Sequence, residues 1–280
     1  MAVDLHAHST ASDGTEPPSQ VVRLAARAGL SAIALTDHDT LEGVGEARSE
    51  AERHGIELIP GTELSCEWDR GGLHVVVLFL EPGRGPLQDR LAYLREARHR
   101  RNRDIARRLS ELGLDIDYPE VLVEAGSGSV GRPHFAAVMK RKGYVPDIST
   151  AFREYLGAGK PAYAARRLLD PEEAIGLARC SGAVTVLAHP HTLGLNNARE
   201  YASTFRWLAA MGLIGVECFY SEYDPATRRK MERSVRSFGL LPSGGSDFHG
   251  DYKPGIGVGV GRGDLEVPDR VLEALRDRIP

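Results

Sequence analysis

The chain has 280 residues, 42% hydrophobic and 26% charged, with a formal net charge of −4, the proportions of a globular enzyme built as one α/β-barrel-sized domain or one domain with an insertion. The small negative charge gives no general case for a nucleic-acid or membrane surface, and no window approaches the roughly 18 apolar residues that span a bilayer. The 3 cysteines, Cys66, Cys180 and Cys218, show no paired spacing, which argues against a disulfide framework or zinc ribbon and for a reducing, cytoplasmic setting.

Met1–Leu5 reads as a short buried strand, with no charged and apolar leader before it. His6 and His8 follow it two residues apart, so both project to one face at the strand's carboxyl end. A turn-rich loop holding Ser12, Asp13 and Gly14 leads to Pro17-Pro18, which suits the first turn of a helix with the stripe Val21, Leu24, Ala25 and Ala28 and a stop at Gly29. Ser31–Leu35 is a second buried strand ending in Thr36-Asp37-His38-Asp39, and a helix over Glu42–His54 stops at Gly55. Ile56–Ile59 is a third strand, running into Gly61-Thr62-Glu63, and His74–Leu80 a fourth. Uninterrupted apolar strands alternating with helices predict a parallel sheet with its site at the carboxyl ends of the strands. His74 is out of step, because it opens its strand.

From about Pro82 to Tyr163 the alternation breaks into helical patterns: Leu87, Leu91 and Leu94, then Ile105, Leu109 and Leu112, then His134–Lys142 and Ile148–Leu156. This predicts a helical insertion, residues 82–163, over the mouth of a barrel formed by 1–81 and 164–280. Strand–helix alternation resumes with Ala183–Ala188, ending in His189-Pro190-His191, then the strand Ile214–Phe219 and the strand before Gly245-Ser246-Asp247-Phe248-His249. The arginine-rich run from Arg95 to Arg108 is interrupted by acids at helical spacing and reads as a solvated face. The glycine-rich 255–261 segment opens no helix and reads as a loop near the site rather than a phosphate cradle.

His6, His8, Asp13, His38, Glu63, His74, His189, Asp247 and His249 are too many titratable groups for a core without charge compensation, since a buried carboxylate is costly unless paired or metal-bound. Nine nitrogen and oxygen donors match two or three divalent cations sharing a carboxylate, and the lack of cysteine among them favours catalytic metal. Two cations roughly 3.5–4 Å apart can activate water and clamp the oxygens of an in-line phosphoryl displacement, so phosphate-ester hydrolysis is the expected chemistry. Amide hydrolysis could use the same machinery.

Five stretches, Asp4-Leu5-His6-Ala7-His8-Ser9, Thr36-Asp37-His38-Asp39, Gly61-Thr62-Glu63, Ala188-His189-Pro190 and Gly245-Ser246-Asp247-Phe248-His249, resemble in type and order the motifs of the PHP (polymerase and histidinol phosphatase) family. The resemblance implies an α/β fold, a distorted seven-stranded barrel, with a trinuclear centre of Mn²⁺, Fe²⁺ or Zn²⁺. His6, His8, Glu63 and Asp247 would serve one metal; Glu63 would bridge to a second with His74 and His189; Asp13, His38 and His249 would hold the third. Family members elsewhere often carry histidine where Asp13 stands. Asp247 and His8 are the residues it implies at the reaction itself.

The chain looks closest to the branch that removes the 3′-phosphate from 3′,5′-bisphosphonucleotides and trims short RNA from the 5′ end. That branch carries a similar insertion with Gly131-Arg132-Pro133-His134-Phe135 and Gly159-Lys160-Pro161. A substrate with two phosphates needs cations away from the metals, and Arg132 and Lys160, with His134 as a further donor, would supply them. His191 and Glu217 are left as candidates for contacts around the site, and Tyr220 and Tyr223 as packing or base-stacking rings. The competing expectations are a histidinol-phosphate-type phosphatase and a metal-binding module without turnover; the extra cations of the insertion weigh against the first, the full donor set against the second.

Overall fold

The computed structural model describes residues 2–126, 130–165 and 167–280; Met1, placed in the first strand by its sequence, lies outside them. Two compact units form, Met1–Leu91 with Leu168–Pro280, and Ala92–Arg167.

The first unit is built on an eight-stranded sheet: β1 Ala2–Asp4, β2 Ala32–Leu35, β3 Glu57–Cys66, β4 Leu73–Leu78, β5 Val184–Leu187, β6 Gly215–Tyr220, β7 Leu241–Gly245 and β8 Val267–Pro268, in the order β7-β6-β5-β4-β3-β2-β1-β8. The ends approach each other. Leu5 N–H donates to Gly244 O (3.2 Å), Asp247 N–H to His6 O (2.8 Å) and His8 N–H to Phe248 O (2.9 Å), which lays β7 along β1 and nearly closes a barrel. This contact needs Gly245, because a Cβ there would run into the His6 backbone and stand 2.7 Å from Asp4 Oδ1. The count exceeds seven because β8, two residues long, pairs antiparallel with β1 at Ala2 and Val3.

The sheet is mixed rather than parallel throughout. β4 runs antiparallel to both β3 and β5, with Ser65 opposite His74 and Val75 opposite Leu187. That direction removes the anomaly of His74: the beginning of β4 lies at the same end of the barrel as the carboxyl ends of its neighbours. β3 is also longer than the apolar run Ile56–Ile59 suggests, because pairing with β4 carries it through Glu63 to Cys66.

Helices Pro18–Arg27 and Val44–His54 pack on β2 and β3, burying Val21, Val22, Ala25 and Ala47 against Ile33 and Leu35. Their ends follow local chemistry. Proline occupies the first turn at Pro18, and Gly55 takes a left-handed φ of 64° after the second helix. Helices Pro171–Cys180 and Pro225–Arg236 are capped by Asp170 and Asp224, whose carboxylates accept from Glu172 N–H (2.8 Å) and Thr227 N–H (2.6 Å). A second apolar layer, including Val3, Leu5, Ala34, Val76, Val186 and Leu275, fills the interior and the side under the C-terminal helix Asp269–Arg276. The 255–261 segment is a closed loop, Gly257 N–H to Gly261 O at 2.7 Å.

In the helical unit, the two periodic stretches around Leu94 and Ile105 belong to one helix, Pro86–Glu111, which begins ahead of the unit's first residue, Ala92. Tyr118–Ala125, Arg132–Arg141 and Ile148–Ala151 follow, the last passing into a π-helical turn, Phe152–Leu156. They enclose their own core of Ile105, Leu109, Val121, Phe135, Met139 and Leu156. The arginine run is laced with acids at helical spacing, Arg107–Glu111 at 2.6 Å and Arg108–Asp104 at 3.0 Å, as expected of a solvated face.

Candidate metal centre

The barrel's strand ends bring all nine sequence-predicted donors into one cluster. His6 and His8 leave β1, His38 follows β2, Glu63 lies in β3, His74 opens β4, His189 follows β5, and Asp247 and His249 follow β7. Four donor sets have their ligand atoms within 4.8 Å of one another: His8, Asp13, His38 and His249; His6, His8 and Asp247; His6, Glu63 and His189; and His38, Glu63 and His74.

Glu63 sits between them. Its Oε1 is 2.9 Å from both His74 Nδ1 and His189 Nε2, while its Oε2 is 3.3, 3.2 and 3.3 Å from Nε2 of His6, His8 and His38. Donors about 2.0–2.2 Å from a common cation stand about 3.0–3.5 Å from one another. His6 Nε2 and His8 Nε2 are 3.0 Å apart, and Asp247 Oδ1 lies 3.6 and 3.5 Å from them. With Glu63 Oε2 they make a four-donor set of that spacing.

The imidazole tautomers suit ligation. Glu217 Oε1 accepts from His6 Nδ1 (2.9 Å), Thr192 Oγ1 from His189 Nδ1 (3.1 Å), Glu63 O from His38 Nδ1 (3.4 Å) and Asp247 O from His249 Nδ1 (3.0 Å). Each bond puts the proton on Nδ1 and turns the Nε2 lone pair into the cluster. His8 differs. Its Nε2 faces the Glu63 set, and its buried Nδ1 has no hydrogen-bond partner among the described residues, standing 3.7 Å from Asp13 Oδ1. A buried polar atom left so is costly unless something binds it, so the residues present fit divalent cations.

The electrostatics agree. Burial opposes charge on Glu63, yet His38, His6 and His74 hold it well below the usual carboxylate range. Burial opposes charge on Asp247 too, and His6 with Lys253 holds it low. Burial works against a proton on His6, but Glu217, Glu63 and Asp247 outweigh it and raise its pKa. His8 is lowered to about 3, first by burial and then by the His249 charge, and stays the neutral ligand form. Such a field attracts a divalent cation.

Backbone strain is concentrated here. Of the non-glycine residues with left-handed φ among the described residues, Asp39 (54°), His189 (25°) and Asp247 (54°) stand in the motifs, Phe79 alone outside them.

Other residues of the motifs serve as scaffold. Asp4, wholly buried, accepts from Ser246 N–H (2.8 Å), Gly259 N–H (2.7 Å) and His6 N–H (3.2 Å), tying three segments together. Asp37 accepts from Ser9 N–H (2.8 Å), Ser9 Oγ (2.7 Å) and Ser12 Oγ (2.6 Å), which holds the loop carrying Asp13; burial pushes its pKa up to about 6.

Sequence reasoning left Glu217 open and missed Lys253. Glu217 bonds His6 and also accepts from His189 N–H at 2.5 Å. Asp247 presents Oδ1 to the imidazoles, while its Oδ2 accepts from Lys253 Nζ and from Tyr220 Oη (2.8 Å). An acid inside an otherwise apolar strand was a usable signal for Glu217. Lys253, in a turn, had none.

The remaining predicted residues belong to the helical unit. Arg132 Nη1 donates to Leu156 O (3.2 Å) and its guanidinium lies over the rings of Phe152 (5.7 Å) and Tyr163 (5.6 Å). His134 is buried and its Nδ1 accepts from Gly131 N–H (2.9 Å), a helix cap. Lys160 lies exposed in the turn after Gly157.

The PHP domain model matches residues 4–156. The 3′,5′-nucleoside bisphosphate phosphatase of Chromobacterium violaceum is 33% identical over 268 residues, 92% of this chain and 90% of that protein. A 5′-3′ exoribonuclease of Haemophilus influenzae is 33% identical over 88% of this chain and 89% of its own length. A solved structure from Bifidobacterium adolescentis, assigned as a metal-dependent phosphoesterase, superposes with a TM-score of 0.83 at 29% identity, covering 99% of this chain and 96% of that one. With the donor cluster at its strand ends and relatives aligned over nine tenths of its length, the chain belongs to the PHP domain family, and it is a metal-binding hydrolase of phosphate esters.

Proposed function

We propose that the chain removes the 3′-phosphate of 3′,5′-bisphosphonucleotides. The observation that carries this reading is the Glu63 carboxylate, its two oxygens turned to two sets of imidazoles, in a chain similar end to end to a bisphosphate phosphatase. His6, His8, Glu63 and Asp247, Glu63 with His74 and His189, and Asp13 with His38 and His249 would hold two or three divalent cations, Mn²⁺, Fe²⁺ or Zn²⁺. When bound, these supply Lewis acidity and charge neutralisation to phosphoryl transfer.

The chain's own groups prepare that chemistry. Glu217 and Thr192 hold His6 and His189 in the ligating tautomer. Lys253 and Tyr220 occupy Asp247 Oδ2 and leave Oδ1 directed inward. His8 keeps a neutral ring at a wholly buried position. Arg132, His134 and Lys160 enter the proposal as contacts to the second phosphate; the fixed fork of a guanidinium and the mobile ammonium of a lysine both suit a dianion. Its cytoplasmic setting is supported by Cys66, Cys180 and Cys218 all being thiols.

The test is phosphate release from adenosine 3′,5′-bisphosphate by manganese-loaded protein. Release is expected; none, with hydrolysis of other phosphomonoesters intact, eliminates the nucleotide assignment. Similarity to an exoribonuclease favours short RNA as a second substrate, read by release of mononucleotides from the 5′ end of a phosphorylated oligonucleotide.

A further inference from the structure

A cavity of about 370 Å³ opens between the helices Ala198–Ala210 and Pro225–Arg236, beside the turn Pro190–Leu193. We propose that it is the subsite for the aromatic base of a nucleotide. The inference rests on the nucleotide reading above and adds the place where the base is held.

Four rings line it. Tyr201 and Phe205 come from one helix, with centroids 5.9 Å apart and planes at 61°. His191 and Tyr223 stand at 5.5 Å and 80°. Phe205 and Tyr223 are buried behind the other two, so Tyr201 and His191 are the rings a flat heterocycle would meet. The volume falls within the roughly 300–1,000 Å³ of small-ligand pockets. Thr227 on the lining adds a hydroxyl for the base edge, and Lys230 adds a positive charge, which suits a nucleotide better than a neutral apolar ligand.

Its position links it to the metal centre. His191 is two residues beyond His189, and their ring centroids are 6.1 Å apart. His191 also packs 5.2 Å from Tyr220, whose hydroxyl donates to Asp247. Tyr223 Oη fixes His191, accepting from its backbone N–H (3.1 Å) and lying 3.1 Å from its Nδ1. His191 thus lines the cavity on one side and packs against His189 and Tyr220 of the donor cluster on the other. Both walls follow β5 and β6, at the barrel end where ligands bind.

Base stacking is worth about 5- to 150-fold in affinity, which sets the expected effect. Thr227→Trp fills the cavity, and Tyr201→Ala removes one platform in case the first variant fails to fold. Two readouts are taken. In the first, kcat/KM for adenosine 3′,5′-bisphosphate is divided by that for the abasic 1-deoxyribose 3,5-bisphosphate; this ratio should exceed about 5 in the wild type and fall toward one in both variants, through KM rather than kcat. In the second, metal-free protein is titrated calorimetrically with adenosine, which carries no phosphate; wild type should bind and Thr227→Trp should not. Unchanged ratios in folded variants, or equal adenosine binding by wild type and Thr227→Trp, overturn the inference while leaving the nucleotide phosphatase standing. Adenosine binding lost in the variant, in a protein that never cleaves the bisphosphate, overturns the catalytic reading and keeps the subsite.

Discussion

Replacing Glu217 by Gln tests whether cation affinity depends on the groups behind the ligands. Glu217 is buried and uses one oxygen for each of two ligating residues: Oε1 accepts from His6 Nδ1 (2.9 Å) and Oε2 from His189 N–H (2.5 Å). Glutamine has the same shape but only one carbonyl oxygen, so it keeps one bond and turns an NH₂ toward the donor of the other. A lost hydrogen bond to a charged group costs about 1.5–3 kcal/mol, which is about 10- to 150-fold in an equilibrium constant. His6 would then be released to the other tautomer, with a proton where its lone pair must point. Chelator competition should therefore show cation affinity about 10- to 100-fold weaker, and kcat/KM at limiting metal reduced in step, with recovery as metal is added in excess. Circular dichroism checks that the variant is folded. A folded Glu217→Gln protein that binds cations as tightly as wild type would refute the reasoning.

Lys253→Met removes one of the two donors to Asp247 Oδ2; because Lys253 is about a third exposed, at 36%, the expected loss in kcat/KM is only about fivefold. Combined with Tyr220→Phe it should exceed the sum of the single effects, measured as a double-mutant cycle, since the two donors share one oxygen. Gly245→Ala forces a Cβ onto the His6 backbone, and the expected outcome is a loss of about 1–3 kcal/mol or more in urea denaturation, read together with loss of cation binding. Glu50 lies under Arg23, His54 and Arg53, and the Arg23 hydrogen bond (2.7 Å) leads in lowering its pKa to about 2. Its folded pKa is below its unfolded value of about 4.3, so its stabilisation is present above that pH and lost as pH falls through about 2. The gap between the urea midpoints of wild type and Glu50→Gln should be full at pH 6 and narrow as pH falls from about 4 toward about 2; a gap that does not narrow contradicts the assignment.

Much of the candidate centre was legible before folding, for a local reason. A strand's period of two sends His6 and His8 to one face, and apolar strands alternating with helices put polar punctuation at one end of a sheet, so His38, Glu63, His189, Asp247 and His249 could be pooled from spacing alone. Most strands and several helix limits followed from apolar runs, prolines and glycines to within a few residues, whereas the helices Tyr118–Ala125 and Pro171–Cys180 were not foreseen. The exceptions among the strands, such as the long β3 and the two-residue β8, owe their length to a pairing partner rather than to their own residues.

What the tertiary structure decided is direction, convergence and proton placement. Nothing in Leu73–Leu78 states that β4 runs against its neighbours, yet that reversal is what makes His74 a partner of Glu63. The tautomers depend on Glu217, Thr192 and two backbone carbonyls, and the charge on Asp247 is balanced by Lys253 from a turn without a motif. A one-dimensional pattern records which residues prefer burial. Which lone pair faces which proton depends on segments hundreds of residues apart, and only packing brings those together.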